Sequence, residues 1–306
     1  MAKAGRSAMR VVLTGASGFL GRAVALALDQ AGFDVRAAGR APVADAKAFA
    51  PIGDLRGPVD WRPALEGCDV VVHLAAIAHR RARPEDLEAV NARAPAALAK
   101  AAADVGVQRL VFASSVKAVG EDSGAAVWTE DQMPAPSTAY GRAKRAAEIA
   151  ILKVAGLEVI VLRPPLVHGA DARANFARLL ELAALPLPPP LGGIANRRSL
   201  ISKSGLAARI AAAAVPGAPT GVFFVTEDPP MSTSDVMRAL RRGLGRSDAL
   251  APAPPPILRV GPLRQIYGSL AVTEAKFRAA FPGFASSDAV EALEETARDW
   301  ARARGR

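Results

Sequence analysis

Two side chains whose chemistry depends on being neighbours, Tyr140 and Lys144, lie four residues apart in a stretch that is predicted to be helical. Residues at positions i and i+4 share one face of a helix, so the phenol and the ammonium should lie side by side. A neighbouring cation favours the ionised form of a phenol, whose ordinary pKa is ~10. The pair can therefore exchange a proton with an alcohol or a ketone during hydride transfer. The same spacing also occurs by chance on many helices, so the interpretation depends on the surrounding residues.

Further polar residues stand near the predicted ends of strands. Ser114 and Ser115 lie at the end of a predicted buried strand, where a serine hydroxyl can hydrogen-bond a reacting oxygen, although the pair also suits an ordinary turn. Asn91 is an unfavourable residue within a predicted helix, which suggests either a proton relay through water or a plain surface position. His73 is interpreted as a packed or cofactor-lining residue rather than a catalyst.

A glycine-rich turn joins the first predicted strand to the first predicted helix. Gly15 is expected to allow the tight turn, Gly18 to let a diphosphate approach backbone N–H groups, and Gly21 to let the helix pack close to the sheet. The triplet differs from the commoner G-x-G-x-x-G fingerprint and is also compatible with an ordinary strand–turn–helix. Its place near the N-terminus favours a dinucleotide site. The predicted cofactor contacts in this turn are Gly15, Ser17, Gly18, Phe19, Leu20 and Gly21.

The end of the second predicted strand bears on the choice between NAD and NADP. An acidic residue there would accept from the ribose 2′-hydroxyl and favour NAD, but none occurs between Ala37 and Arg40. Arg40, helped by Arg22, can pair with a 2′-phosphate, and a solvated loop arginine is an equally good interpretation. We therefore predict NADP(H) in slight preference to NAD(H). Asp54 stands where an adenine amino group could be met, or is a turn aspartate.

The elements that must position these residues alternate along the first half of the chain. Apolar runs without polar alternation are typical of strands buried on both faces, and their alternation with helices predicts an α/β fold with a doubly wound parallel (Rossmann) sheet. Strands are predicted at 10–14, 34–38, 70–74, 109–114 and 158–163, and helices at 19–31, 85–105 and 138–155.

After about residue 165 the chain becomes proline-rich, with helices predicted at 206–215, 233–244 and 288–304. We predict a Rossmann domain over 1–165 and, over 166–306, mainly a smaller substrate-binding lobe with segments that return to the sheet. Such a lobe would cover the carboxyl edge of the sheet, where ligands bind in these folds.

Composition narrows the classes of function. The chain has 306 residues, of which 51% are hydrophobic and 22% charged, as in folded globular proteins. Its only cysteine is Cys68, so no intrachain disulfide or cysteine-based metal cage is expected. No transmembrane stretch and no signal peptide are recognised, so a cytoplasmic location is expected. The net charge of +10 comes from scattered arginines without interleaved aromatics, which favours anionic small-molecule ligands over nucleic acid.

Together these motifs resemble the extended short-chain dehydrogenases, in particular the NAD-dependent epimerase/dehydratase group that acts on nucleotide sugars. The resemblance spans nearly the whole chain, and the order and spacing of the motifs fit. The matching motifs are Thr14 to Gly21, Asp54-Leu55, His73-Leu74-Ala75-Ala76, Asn91, Ser114-Ser115, Tyr140-x-x-x-Lys144 and Arg163 to Gly169.

The resemblance implies a role for each matched residue. It makes Tyr140 the acid/base, Lys144 the modulator of its pKa, and Ser115 the partner of the substrate hydroxyl. Asn91 resembles the helix asparagine of the proton relay. In the C-terminal lobe, Asn175 looks like a contact to the sugar nucleotide and Arg198 like the arginine that meets its diphosphate. A homodimer formed by the helices that begin near residues 85 and 138 is also implied. Further cofactor contacts are implied at Asp54, Leu55, Leu74, Ala75, Ala76, Tyr140 and Lys144.

The two residues after Ser115 narrow the reaction. Sugar-nucleotide 4,6-dehydratases carry an Asp-Glu pair there, whereas this chain has Val116 and Lys117, so elimination is not expected. The similarity points to bacterial polysaccharide-biosynthesis enzymes, and reduction of a UDP-4-keto-(N-acetyl)hexosamine is favoured because NADP(H) enzymes more often release their cofactor. The alternatives are a UDP-glucose or UDP-N-acetylglucosamine 4-epimerase, a reductase of small hydrophobic ketones, and a non-catalytic dinucleotide-binding protein.

Overall fold

The structure is a computed structural model that describes residues 8–43, 46–78, 82–172, 174–253, 267–284 and 287–305, with only the backbone of residues 174 and 175. The chain divides into two compact units. The first comprises residues 1–120, 133–163 and 207–223, and the second comprises residues 121–132, 164–206 and 224–306. Each unit is therefore assembled from segments that are separated in the sequence.

The described strands are β1 (Arg10–Thr14), β2 (Asp34–Gly39), β3 (Ala48–Pro51), β4 (Val70–His73), β5 (Arg109–Ala113), β6 (Val127–Trp128), β7 (Glu158–Arg163), β8 (Leu166–His168), β9 (Arg198–Ser202), β10 (Gly221–Phe224), β11 (Glu227–Met231) and β12 (Ala271–Val272). The described helices are α1 (Gly21–Gln30), α2 (Arg62–Leu65), α3 (Pro84–Glu88), α4 (Ala94–Asp104), α5 (Ala139–Ile151), α6 (Ala174–Ala184), α7 (Lys203–Ala213), α8 (Thr233–Gly243), α9 (Ala275–Ala280) and α10 (Ala289–Arg302).

The first unit is built on a seven-stranded sheet in the order β10-β7-β5-β4-β1-β2-β3. The described pairs from β3 through to β7 are parallel. The strand order runs outward in both directions from the neighbours β1 and β4, which makes their carboxyl ends the switch point of the sheet, where ligands bind in such folds. The predicted doubly wound parallel sheet is confirmed.

Both faces of this sheet are buried, as the unbroken apolar runs predict. One face carries Val12, Val71 and Phe112, which pack with α2, α4 and α5 in a single apolar cluster. The intervening residues of the same strands point to the other face, and Leu13 and Val72 there are fully buried as well. Strands held rigid on both faces give fixed positions to the polar residues at their ends.

The helix predicted over 85–105 is interrupted. A π-helical turn, Ala89–Arg93, separates α3 from α4. Such turns are rare and often occur at functional sites. Here the turn contains Asn91, whose side chain is buried.

The second unit has a three-stranded sheet in the order β11-β9-β8 and a core formed with α6, α8 and α10. Side-chain caps begin two of its helices: the Ser232 side chain accepts from the backbone of Asp235 at α8, and Asp288 accepts from Val290 and Glu291 at α10. Within the described ranges, no helix has the length and apolar character needed to span a bilayer.

Candidate active site

The switch point of the sheet is bridged by a buried hydrogen bond. Thr14 ends β1 and His73 ends β4, and Thr14 Oγ1 lies 2.8 Å from His73 Nδ1. The same hydroxyl accepts from the backbone N–H of Ala75 at 3.2 Å. The threonine therefore ties the glycine-rich turn after β1 to the loop after β4. Leu74 and Ala75 are half-buried and Ala76 is exposed, so this loop lines the accessible edge of the sheet.

Two glycines of the turn are required by close backbone contacts. Gly15 has φ +74°, and a Cβ there would lie 2.8 Å from the Ala75 nitrogen. At Gly21 a Cβ would lie 2.2 Å from the Gly15 carbonyl oxygen, so this glycine lets the turn fold onto the helix start. The expectation that Gly21 also lets the helix pack close to the sheet stays a prediction. Gly18 is less restricted, because its Cβ would meet the Gly15 oxygen at 3.1 Å.

The turn presents a surface that a diphosphate can use. Ser17 and Gly18 are exposed, while Phe19 and Leu20 are half-buried at the start of α1. Helix α1 has no acidic residue in its first turn and no side-chain cap, so the partial positive charge of its N-terminus is not offset there. These features fit the diphosphate of a dinucleotide.

At the expected adenosine end of the site, the charged residues are exposed. Arg40 and Arg22 are both exposed. Asp54 forms hydrogen bonds with Arg56, which lower the pKa of its carboxyl to about 2, and Arg40 adds a smaller electrostatic contribution. Leu55 beside it is half-buried. The carboxylate is thus engaged by arginine, and two further arginines are available to an anion such as a 2′-phosphate.

Tyr140 stands at the N-terminus of α5, where its backbone is fixed by two neighbours. The Thr138 side chain caps the helix by accepting from the Gly141 backbone N–H at 3.1 Å. A Cβ at Gly141 would lie only 2.3 Å from the Lys117 carbonyl oxygen. Lys117 belongs to the 3₁₀ turn that follows Ser115, so Gly141 lets α5 approach that turn closely.

The Tyr140 hydroxyl is hydrogen-bonded to Ser115, so the structure brings together two residues that the resemblance assigns to the reacting oxygen. Burial raises the pKa of Tyr140 to about 12, and the hydrogen bond to Ser115 acts in the opposite direction. Ser115 is itself held, because its Oγ accepts from the Lys117 backbone N–H at 3.2 Å. Lys144 was expected to lower the pKa of Tyr140. In the protein by itself burial has the largest effect, and the pKa of Tyr140 is raised instead.

Lys144 lies one helical turn beyond Tyr140 and is buried. Its Nζ donates to the Ala113 carbonyl at 2.8 Å and lies 4.7 Å from the centre of the Phe112 ring. Burial lowers the pKa of Lys144 to about 8, and the charge of Glu148 opposes that effect. The pKa of His73 is lowered to about 3, mainly by burial and to a smaller extent by the charge of Lys144, so the imidazole is neutral.

A buried carboxylate, Glu148, completes the same face of α5 and was missed in the sequence. It accepts from Ser114 Oγ at 2.6 Å and from Arg163 Nε and Nη2 at 2.9 and 2.6 Å. Arg145 contacts it at 3.1 Å from the more exposed side. The i, i+4, i+8 spacing of Tyr140, Lys144 and Glu148 is the pattern that could have revealed it.

Asn91 uses its side chain to hold the loop after β4. Its Oδ1 accepts from the Ile77 N–H and its Nδ2 donates to the Ile77 carbonyl, both at 2.8 Å. The plain surface interpretation is therefore wrong, since the residue is buried. Its role in a proton relay stays a prediction.

The two predicted substrate residues belong to the second unit. Arg198 donates to the Gly268 carbonyl at 2.9 Å, and burial lowers its pKa while the charge of Asp122 opposes this. Asn175 is in the first turn of α6, and its side chain lies outside the described part of the structure. Its neighbour Phe176 is buried and stacks on His168, with ring centres 5.4 Å apart.

Comparison with known proteins identifies the family of the chain. Residues 11–185, more than half of it, match the model of the NAD dependent epimerase/dehydratase family. The chain belongs to this family. The expected resemblance is thereby confirmed, and the protein is an NAD-dependent enzyme of the epimerase/dehydratase type.

Several relatives of this epimerase/dehydratase enzyme are known. A UDP-glucose 4-epimerase of Vibrio cholerae is 35% identical over 258 residues, which cover 80% of this chain and 78% of that protein. A 4-hydroxy-2-methyl-3-oxo-4-farnesyl-3,4-dihydroquinoline-1-oxide ketoreductase of Stigmatella aurantiaca is 32% identical over 183 residues, with 56% and 54% of the two chains covered. The solved structure of MoeE5 in complex with UDP-glucuronic acid and NAD is 25% identical, with a TM-score of 0.77 over 96% of this chain and 99% of that one.

Proposed function

We propose that the protein oxidises and reduces C4 of a UDP-sugar, with Ser115, Tyr140 and Lys144 transferring the proton. The observation that carries this proposal is the hydrogen bond between the Tyr140 and Ser115 hydroxyls, with Lys144 one helical turn away at the same strand end. The Vibrio cholerae relative named as a UDP-glucose 4-epimerase supports the substrate class.

A bound nicotinamide dinucleotide would accept or donate the hydride. The glycine-rich turn, including Gly15, Gly18 and Gly21, would hold its diphosphate, and Lys144 would contact its nicotinamide ribose. The switch-point location and the backbone contacts at Gly15 and Gly21 support this placement.

The protein's own groups then handle the proton. Tyr140, with its pKa raised to about 12, is protonated at neutral pH and can donate its proton to a 4-keto oxygen. In the reverse direction it must first lose that proton, and positive charge nearby, including Lys144, would favour the phenolate. Ser115 would hydrogen-bond the same substrate oxygen and stabilise the charge that develops on it.

Epimerisation at C4 is the first candidate reaction, because the relative that aligns with 80% of the chain is named as a 4-epimerase. Reduction of a 4-keto sugar nucleotide is the second candidate. It is favoured by the exposed Arg40 and the lack of an acidic residue at the end of β2, which suit NADP(H). A ketoreductase among the relatives agrees with that alternative. Arg198 is proposed to bind the UDP diphosphate in either case.

One experiment separates these candidates. The purified protein is denatured, and the supernatant is assayed for NAD and NADP. The folded protein is then incubated with UDP-glucose, UDP-N-acetylglucosamine and a UDP-4-keto sugar. An epimerase retains its cofactor and interconverts the sugars without net cofactor turnover, whereas a reductase consumes NADPH stoichiometrically with the keto sugar. If no UDP-sugar is converted and none raises the melting temperature, the proposed substrate class is refuted.

A further inference from the structure

We propose that Glu148 is a positioning residue of this active site. Its buried carboxylate fixes the strand end that carries Ser114 and Ser115 and balances the charge of Lys144, while Arg163 holds the carboxylate in place. The inference rests on the proposed function, because it assigns Glu148 a part in the proton transfer proposed for Ser115, Tyr140 and Lys144.

Glu148 is linked directly to the serines at the end of β5. Ser114 Oγ donates to Glu148 Oε1 at 2.6 Å, and the Ser114 backbone N–H donates to the Leu162 carbonyl at 2.8 Å. Ser114 is thus held at both its backbone and its side chain. Because Ser115 is the next residue, fixing Ser114 adds to the Lys117 contact in holding the Ser115 hydroxyl beside Tyr140.

Glu148 also acts on the charge of Lys144. It lies four residues beyond Lys144 on α5, and its charge favours the ammonium form of that side chain against the effect of burial. The other groups described near Lys144 are the His73 imidazole of β4 and the Phe112 ring and Ala113 carbonyl of β5. Among the described groups that act on the charge of Lys144, Glu148 is the negative one.

The buried pair of Glu148 and Arg163 has a cost in stability. Glu148 is fully buried and Arg163 nearly so, and burying an ion pair is not by itself an efficient way to stabilise a fold. The two hydrogen bonds from the Arg163 guanidinium hold the carboxylate in one orientation, with Oε1 towards Ser114. The role of the ion pair is therefore to keep the Glu148 carboxylate oriented towards Ser114.

The molecule provides a matched control. Arg109, at the start of β5, is also buried and pairs with Glu158 at 2.6 Å, and its other donors meet the Ala213 and Pro219 carbonyls. Four residues of extended strand, roughly 13 Å, separate Arg109 from Ala113, beside the serines. The substitution Glu158→Gln removes the carboxylate partner of a buried arginine without touching the active site.

The test compares Glu148→Gln with Glu158→Gln in the holoenzyme, with the UDP-sugar that the wild type converts. We expect Glu148→Gln to lower kcat at least tenfold at neutral pH, to change KM less than twofold, and to move the alkaline limb of the pH–rate profile to lower pH. Lys144 would then lose its proton more readily. Ser114→Ala should lower kcat without moving that limb, because it leaves the carboxylate charge in place.

The double variant Glu148→Gln/Arg163→Met removes both buried charges, and so keeps the test valid if the single variant does not fold. It should fold, lower kcat as the single variant does, and move the alkaline limb of the pH–rate profile in the same direction by a smaller amount, because a nearby positive charge is removed together with the carboxylate. The inference is overturned if Glu148→Gln, or the double variant in its place, matches Glu158→Gln in kcat and pH profile while Tyr140→Phe abolishes turnover. A wild type that converts no UDP-sugar would instead refute the proposed function.

Discussion

Replacing Lys144 by methionine should make the folded protein more stable while removing its activity. The pKa of Lys144 is lowered from 10.5 to about 8 because the ammonium is buried. A shift of this size means that the charged side chain costs roughly 3 kcal/mol of folding free energy below that pH. Methionine keeps most of the length of the side chain and carries no charge.

The gain is reduced by one lost contact. The hydrogen bond from Nζ to the Ala113 carbonyl disappears, which costs about 1 to 2 kcal/mol. The favourable charge interaction with Glu148 is already included in the lowered pKa of Lys144, so its loss does not reduce the gain further. We therefore expect a net stabilisation of about 1 to 2 kcal/mol, or a rise in melting temperature of roughly 2 to 8 °C for a unit of this size.

Thermal melting measured as a function of pH tests whether the buried charge of Lys144 is what destabilises the wild type. Between about pH 8 and 10.5, Lys144 is neutral in the folded protein but protonated when unfolded, so the unfolded state binds more protons and wild-type stability should rise with pH. Lys144→Met should lack this rise. Lys100→Met, at an exposed position on α4, is the control and should change little. A Lys144→Met protein that melts below wild type, or keeps the same rise with pH, would refute the reasoning.

Three further predictions concern the neighbouring residues. Burial lowers the pKa of His73 from 6.5 to about 3, so stability should be lost as the pH falls through that interval, and acid titrations of His73→Phe should show a shallower loss. Gly21→Ala should abolish dinucleotide binding, measured by fluorescence titration, because its Cβ meets backbone at 2.2 Å; Gly57→Ala, whose nearest neighbour would be at 3.8 Å, should bind normally. Gly141→Ala should lower kcat more than tenfold by pushing α5 away from the Ser115 turn, and an unchanged kcat would contradict the proposed role of that contact.

The sequence was sufficient for the framework of the first unit. Strands β1 and β7 have the predicted bounds, and the glycine-rich turn lies between strand and helix as expected. These features are local: apolar runs, glycine spacing and the order of elements determine them. The resemblance also assigned Tyr140 and Ser115 to one site, and the structure places their side chains in hydrogen-bond contact.

The remaining features depend on contacts between distant parts of the chain. Residues 207–223 return to the first unit, and β10 joins the far edge of its sheet. Returning segments were expected after residue 165, but no local pattern identified which residues they would be. Asn91 looked like an unfavourable helix residue because the π-helical turn and its bonds to Ile77 are tertiary features. The close contact between Gly21 and the Gly15 carbonyl depends on how the turn folds back, which the spacing of the glycines alone does not show.

Electrostatics were the least accessible to sequence reasoning. The spacing of Tyr140 and Lys144 suggested a phenol with a lowered pKa, but burial, which depends on the whole fold, dominates and raises it. Glu148 has the same four-residue spacing from Lys144, yet its partners Ser114 and Arg163 come from β5 and β7, and only the folded sheet brings them together.

The central claim is that the Tyr140 phenol is the group that exchanges a proton with substrate, and its titration tests this most directly. The chain has two tyrosines, so in Tyr267→Phe the phenolate absorbance reports on Tyr140 alone. We predict that Tyr140 stays protonated well above the ordinary tyrosine pKa of ~10 in the protein by itself, and that adding oxidised dinucleotide, with its positive charge, makes it ionise at lower pH. A Tyr140 that ionises near its ordinary pKa, both with and without dinucleotide, would contradict this claim.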